Sequence, residues 1–169
     1  MLATGMDETA LLCHVEIPKG SRNKYEWDEK QQAIKLNRFL FSSVVYPTDY
    51  GFVPGTLSDA GDELDAMICV SEPTFPGCRI GVRVVGVLCM LDESGQSDKL
   101  LCVPGQDPNW DHVERLDDLS ERLRAEIEHF FSIYKQPEGK HVEIQGWKDR
   151  DQALAAVEEG RRRYTEERS

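Results

Sequence analysis

Seven consecutive residues, Asp59-Ala60-Gly61-Asp62-Glu63-Leu64-Asp65, carry four carboxylates around one glycine, and the apolar run Ala66-Met67-Ile68-Cys69-Val70 follows at once. Acidic groups at the mouth of a buried strand repel one another and resist desolvation. Bound divalent cations relieve both penalties, and oxygen donors suit Mg²⁺ or Mn²⁺. An acidic turn in open water is the competing reading, and this segment alone leaves both standing.

Other charged residues sit beside strand-like runs. Arg38 alternates onto the side of Ile34, Leu36 and Leu40. A guanidinium on an apolar face needs an anion or a partner carboxylate. Lys24 with Glu26, and Lys99 after the polar tip at 92–98, add fixed charge, although each also reads as ordinary solvated surface. Tyr46-Pro47-Thr48-Asp49-Tyr50-Gly51-Phe52 is rich in aromatics for a turn, and Tyr134-Lys135 closes a helical run. Phenolic hydroxyls are neutral donors to phosphate oxygens. Carboxylates together with Arg, Lys and Tyr donors suit a metal-bound polyanion and phosphoryl transfer to water. In that chemistry metals polarise the phosphate, and cationic side chains take up charge on its equatorial oxygens.

The elements that must position these groups are mostly strands. Leu11, Cys13, Val15 and Ile17 alternate with polar partners, which puts Glu16 on the opposite face. Further strands are expected over 24–27, 33–40, 64–70, 80–90, 99–103 and 142–147, with Gly and Pro punctuation between them. Gly95 allows a tight bend in the polar tip. Leu119, Leu123, Ile127, Phe130, Phe131 and Tyr134 recur at helical spacing, with Asp117 or Asp118 as the expected cap. A second helix is expected over 149–166, weakened by Gly160. Residues 1–10 read as a flexible leader, and 11–169 as a single domain. The expected class is α+β, mainly β: a small barrel with additional strands and two C-terminal helices.

Composition narrows the functions. The chain has 169 residues and a net charge of -11, which disfavours a nucleic-acid or anionic-membrane partner. Its five cysteines form no Cys-x-x-Cys pair, and the four histidines show no zinc spacing. The odd cysteine count suits a reducing compartment, and no secretory signal or membrane span is visible, so a cytoplasmic location is expected.

Taken in order, Val15-Glu16-Ile17-Pro18, Lys24-Tyr25-Glu26, Asn37-Arg38-Phe39, Tyr46 to Gly51, Gly61-Asp62-Glu63-Leu64-Asp65, Pro76-Gly77, Asp92-Glu93, Lys99-Leu100, Trp110-Asp111-His112 and His129-Phe130-Phe131 running into Tyr134-Lys135 form a specific series. With it the chain resembles the soluble, bacterial-type (family I) inorganic pyrophosphatases from about residue 11 to residue 165. The resemblance implies a five-stranded OB-like barrel flanked by two helices, and Mg²⁺-dependent hydrolysis of pyrophosphate to two phosphates, with Mn²⁺ or another divalent cation as alternatives. It implies substrate binding by Lys24, Arg38, Tyr50, Lys99, Tyr134 and Lys135, with Tyr46 in support. Asp62 matches the general base, and Asp65 and Asp92 match metal ligands. Glu16 and Glu26 match carboxylates that hold metals largely through water. A homo-oligomer, commonly a hexamer, is implied as well.

The chain departs from that family in two places. The family signature is Asp-x-Asp-x-x-Asp, and its first position here is Ala60. Two residues before the family's lysine a metal-binding Asp is expected, and Ser97 stands there. Both losses fall on one metal, of whose protein ligands Asp65 remains. They predict weakened activity or altered metal use, by roughly 1.4–2.7 kcal/mol or more. A catalytically impaired relative that binds phosphate compounds or a protein partner is the alternative. Asp59 and Asp98, adjacent to the two substitutions, are the candidates to compensate.

Overall fold

The structure is a computed structural model and describes residues 10–168. The leader expected over 1–10 lies outside the described residues, except for Ala10, which opens the first strand. The described residues form nine strands and two α-helices: β1 Ala10–Ile17, β2 Asn23–Asp28, β3 Ala33–Phe39, β4 Asp49–Val53, β5 Leu64–Ile68, β6 Arg79–Asp92, β7 Gly95–Gln96, β8 Lys99–Pro104, α1 Glu121–Ile133, β9 Glu143–Asp149 and α2 Arg150–Arg168.

Five of the strands close into a ring. β1 pairs with β4, β4 with β5, β8 with β6 and β6 with β1, all antiparallel, while β5 pairs with β8 in parallel. Counted along the chain, the ring runs first, second, third, fifth, fourth and back to first, which is the expected OB-like barrel. The 14-residue β6 is long enough to serve two barrel neighbours and to carry β7 and β9 outside the ring. β2 and β3 form a separate two-stranded arm.

Alternation along the barrel strands builds two cores. Cys13, Val15, Ala66, Ile68, Leu100 and Cys102 point one way and meet Ala153 and Val157 of α2. Cys13 reaches Cys102 although β1 and β8 do not pair, so this set fills the barrel interior. Met67, Leu101, Val103 and Leu88 point outward beneath Ile127, Phe130 and Phe131 of α1. The cysteines expected as small core residues are free, and four of the five are buried.

Four local expectations need correction or completion. Residues 49–53 are a barrel strand rather than part of a turn. Gly51 lies so close to β1 that a Cβ there would fall inside the His14 carbonyl oxygen, with Val15 Cα 2.9 Å away. The cap of α1 is Ser120, whose hydroxyl accepts from the Leu123 N–H at 3.1 Å. Asp118 instead accepts the Glu114 and Arg115 N–H groups, within a separate short turn. Gly160 stands in α2 for a packing reason that a purely local reading lacks: its missing Cβ makes room for Leu64 Cδ1, 2.8 Å from where that atom would stand, and its carbonyl accepts the Leu57 N–H at 2.9 Å. Lastly, Arg38 does not sit on a buried apolar face. A bulge leaves Asn37 as an extra residue in β3 and breaks the alternation, and Leu36 is 58% exposed. No helix among the described residues is long and apolar enough to cross a membrane.

Candidate active site

A cavity of about 310 Å³ opens where the β2–β3 arm, the mouth of the barrel and the end of α1 meet. Six carboxylates and three ammonium groups line it, together with four tyrosines. Each element delivers its groups for a local reason. Glu16 lies on β1 facing away from the barrel interior, and its Oε2 accepts the Trp27 N–H at 2.9 Å, which ties the arm to the barrel. Lys24 and Glu26 are two residues apart on β2 and so share a side. Tyr50 leaves β4 opposite Met67. Asp65 and Lys99 open the parallel strands β5 and β8 at the same register level. Asp92 ends β6, and Tyr134 and Lys135 follow the last turn of α1.

The acidic segment that precedes β5 is held from behind. Gly61 takes a left-handed φ of 89°. The Ser58 N–H donates to the Asp62 carbonyl at 2.6 Å, and the Leu64 N–H to Thr56 Oγ1 at 3.1 Å. These bonds use backbone and hydroxyl groups. The Asp62 and Glu63 side chains lie exposed at the mouth, on the border with a second cavity of about 520 Å³ that includes Ala60 and Ser97.

Every side chain anticipated from the sequence lines the first cavity except Arg38. Arg38 stands at its rim: Nη2 donates to Glu138 Oε2 at 3.2 Å, and Nε faces Oε1 at 2.6 Å. Of the two readings open for this residue, the partner carboxylate is the one seen. Asn37 Nδ2 in turn donates to Glu26 Oε2 at 2.9 Å. Glu138 was not singled out in the sequence, nor were Trp27, Phe52 and Glu63 as individual lining groups. Asp49 was also passed over. It is fully buried and accepts from the Lys19 N–H, the Thr74 N–H and Thr74 Oγ1, pinning two loops at the base of β4. A carboxylate inside an aromatic-rich segment was the available signal.

Burial and neighbours set the protonation states. Burial, with smaller contributions from Asp65 and Glu26, pushes Glu16 up to about 7 against the Trp27 hydrogen bond. Burial and then the Arg38 charge lower Lys24. Burial raises Tyr46, Tyr50 and Tyr134, so these phenols stay protonated donors. Burial opposes the charge on Lys135, yet Tyr134, Glu93 and Asp92 hold its pKa up. Lys135 Nζ lies 3.2 Å from Glu93 Oε1 and 3.6 Å from Asp92 Oδ2.

A stability prediction follows for Glu16 in metal-free protein. Its folded pKa lies above the unfolded value, so the folded state binds more protons between about pH 4.5 and 7 and loses stability as pH rises through that window. Glu16→Gln removes this dependence and stabilises the protein at pH 8 by about 1–3 kcal/mol, with little change at pH 4. Urea titrations in chelator at the two pH values measure it, and equal slopes for parent and variant would refute it.

The sequence model of the inorganic pyrophosphatase family matches residues 13–165. This chain belongs to that family. The inorganic pyrophosphatase of Methanosarcina acetivorans is 52% identical over 152 residues, spanning 90% of each chain. That of Streptomyces coelicolor is 51% identical over 154 residues, covering 90% of this chain and 94% of its own. The crystal structure of the Thermus thermophilus inorganic pyrophosphatase superposes with a TM-score of 0.92 at 40% identity, covering 98% of this chain and 97% of that one. Pyrophosphatases of this family depend on divalent metals.

The donor set fits such ions on one side of the cavity and not on the other. Among the described residues no three acidic, His or Cys side chains converge into a ready-made cluster. Mg²⁺ does not require one, because it commonly keeps several waters and binds one or two carboxylates plus substrate phosphates. Glu16, Glu26, Asp62 and Asp92, spread around a polar cavity, suit that mode. The corner at Ala60 and Ser97 does not. Asp59 pairs with Arg163 of α2 at 2.5 Å, with its side chain 85% exposed. Asp98 Oδ1 accepts the Met90 N–H and Gln96 Nε2 at 3.2 and 2.6 Å. Both line the second cavity beside Ala60, Ser97 and Asp65, with their carboxylates engaged in these contacts.

Proposed function

We infer that this chain hydrolyses inorganic pyrophosphate to two phosphates, with Mg²⁺ as its cation. The observation that carries the reading is the convergence of Lys24, Lys99 and Lys135 with Tyr50, Tyr134 and six carboxylates on one cavity of the size of a small polyanion.

Lys24 from the arm and Lys135 from the end of α1 bind the phosphoryl oxygens. Arg38, released from Glu138, closes over the anion from the rim. Tyr50 and Tyr134 donate neutral hydrogen bonds, so they bind oxygens without adding to the charge of the free site. Divalent cations bound on the Glu16–Glu26–Asp62–Asp92 side would screen the polyanion and acidify the attacking water. Asp62 accepts the proton of that water. Its exposed carboxylate, at the mouth of the cavity and free to reorient in a glycine-containing loop, suits a base that must meet a mobile reactant.

The exposed apolar groups Leu36, Phe39, Phe41 and Val45 lie on and just after the arm, and they support association into a homo-oligomer, a hexamer on the family precedent. Five free thiols support a cytoplasmic location.

Phosphate release from pyrophosphate, measured with Mg²⁺, Mn²⁺, Zn²⁺ and Co²⁺ in turn, tests the assignment. Turnover is expected and is fastest with Mg²⁺. No release above buffer with any cation, alongside calorimetric binding of pyrophosphate, would replace it with the non-catalytic binder.

A further inference from the structure

The corner where Ala60 and Ser97 stand is not simply short of carboxylates. It already holds a cation. Lys99 Nζ donates to Asp65 Oδ2 at 2.7 Å and to Ser97 Oγ at 2.9 Å. It also lies 5.6 Å from the centre of the Tyr50 ring. The lysine is 4% exposed, so this ammonium is fixed inside the site rather than waving above it. The parallel register sets Asp65 beside Lys99. Ser97, in the link between β7 and β8, brings its hydroxyl to the same ammonium, while Asp98 Oδ1 accepts from the Met90 N–H and Gln96 Nε2.

Charge decides what else the corner can take. With carboxylates at positions 60, 65 and 97 and a lysine at 99, the corner would carry a net charge of about -2 and match one divalent ion. With alanine and serine there, Asp65 and Lys99 cancel each other, and Asp92, whose carboxylate also meets Ser97, is drawn to Lys135 Nζ at 3.6 Å. A divalent ion bound to Asp65 would then meet the ammonium that already holds that carboxylate at 2.7 Å. The repulsion an ammonium exerts on a single positive charge is doubled for a divalent ion.

We propose that Lys99 is the built-in cation of the Asp65–Ser97 corner and that this corner binds no divalent ion, which confines metal binding to the Glu16–Glu26–Asp62–Asp92 side of the cavity. The proposal rests on the pyrophosphatase reading for the use made of those metals, but its test does not.

Mn²⁺ binding to the purified protein without substrate, followed by the paramagnetic resonance of free Mn²⁺, is compared between the parent and the Ala60→Asp, Ser97→Asp double variant. The double variant is expected to bind one Mn²⁺ more per chain, or to bind Mn²⁺ at least tenfold tighter. Equal stoichiometry with affinities within threefold would overturn the proposal. Crystals of the parent soaked in Mn²⁺ decide the matter even if the double variant does not fold. Anomalous density is expected away from Asp65, and a peak within bonding distance of its carboxylate overturns the proposal. Phosphate release measured in parallel separates the two readings: a parent that turns over nothing refutes the reaction, while the Mn²⁺ counts still judge the corner.

Discussion

Asp62→Asn is expected to lower the turnover of pyrophosphate about 10²–10⁴-fold, some 3–5 kcal/mol of transition-state stabilisation, while KM moves by no more than a few fold. The amide keeps the size and hydrogen-bonding reach of the carboxylate but takes up no proton at neutral pH. The loop survives the change, because residue 62 contributes its backbone carbonyl to the Ser58 hydrogen bond and its side chain stays exposed. The thermal midpoint should therefore match the parent within a degree or two. A rate loss under threefold would move the role of base to another carboxylate on the same wall, Glu63 being the nearest in sequence. An equal loss in kcat/KM at all pH values, with a large rise in KM, would mark Asp62 as a binding group instead.

The largest effect on stability is expected far from any charge. Gly51→Ala places a methyl group against the backbone of β1, at His14 and Val15, where no side chain can move aside. Relief requires β1 and β4 to separate, and both belong to the closed ring, so the strain spreads to β5 and β6. A cost above about 3 kcal/mol follows, beyond ordinary overpacking. For a chain of this size that lowers the melting temperature by about 10 °C or more. Thermal denaturation measures it, and a shift under 3 °C would mean that the two strands part easily. Tyr50 sits next to Gly51, so the residual activity of any folded fraction should fall as well.

Most of the barrel was legible because its strands are apolar. β1 alternates, β5, β6 and β8 are near-continuous apolar or β-branched runs, and each was placed within a few residues. β4 was not, because its five residues include Tyr50 and Gly51 after a proline, a composition that reads as a turn. What makes it a strand is tertiary: the close approach that only glycine permits. The same holds for Gly160, where the local cost of glycine in a helix is outweighed by contact with Leu64 and Leu57, which no local pattern reveals.

The site was legible in a different way. The carboxylates, lysines and tyrosines were found through their order along the chain, and they meet at one cavity because the OB-like ring brings β1, β4, β5, β6 and β8 to a common mouth. Arg38 shows the limit of periodicity. It was singled out through an alternation that the bulge at Asn37 breaks, and its actual surroundings are set by Glu138, 100 residues away. Lys99 shows a second limit. The family resemblance implies a missing carboxylate at 97, but only the parallel pairing of β5 with β8 reveals what stands beside the gap.

The last helix deserves a practical reading. Gly160 receives the Leu57 amide, Leu64 fits against its bare backbone, and Arg163 pairs with Asp59, so a single turn of α2 moors the acidic segment. Trimming the chain back past residue 160, as recombinant work often does to tidy a terminus, would leave the ring of strands standing and set the proton acceptor adrift.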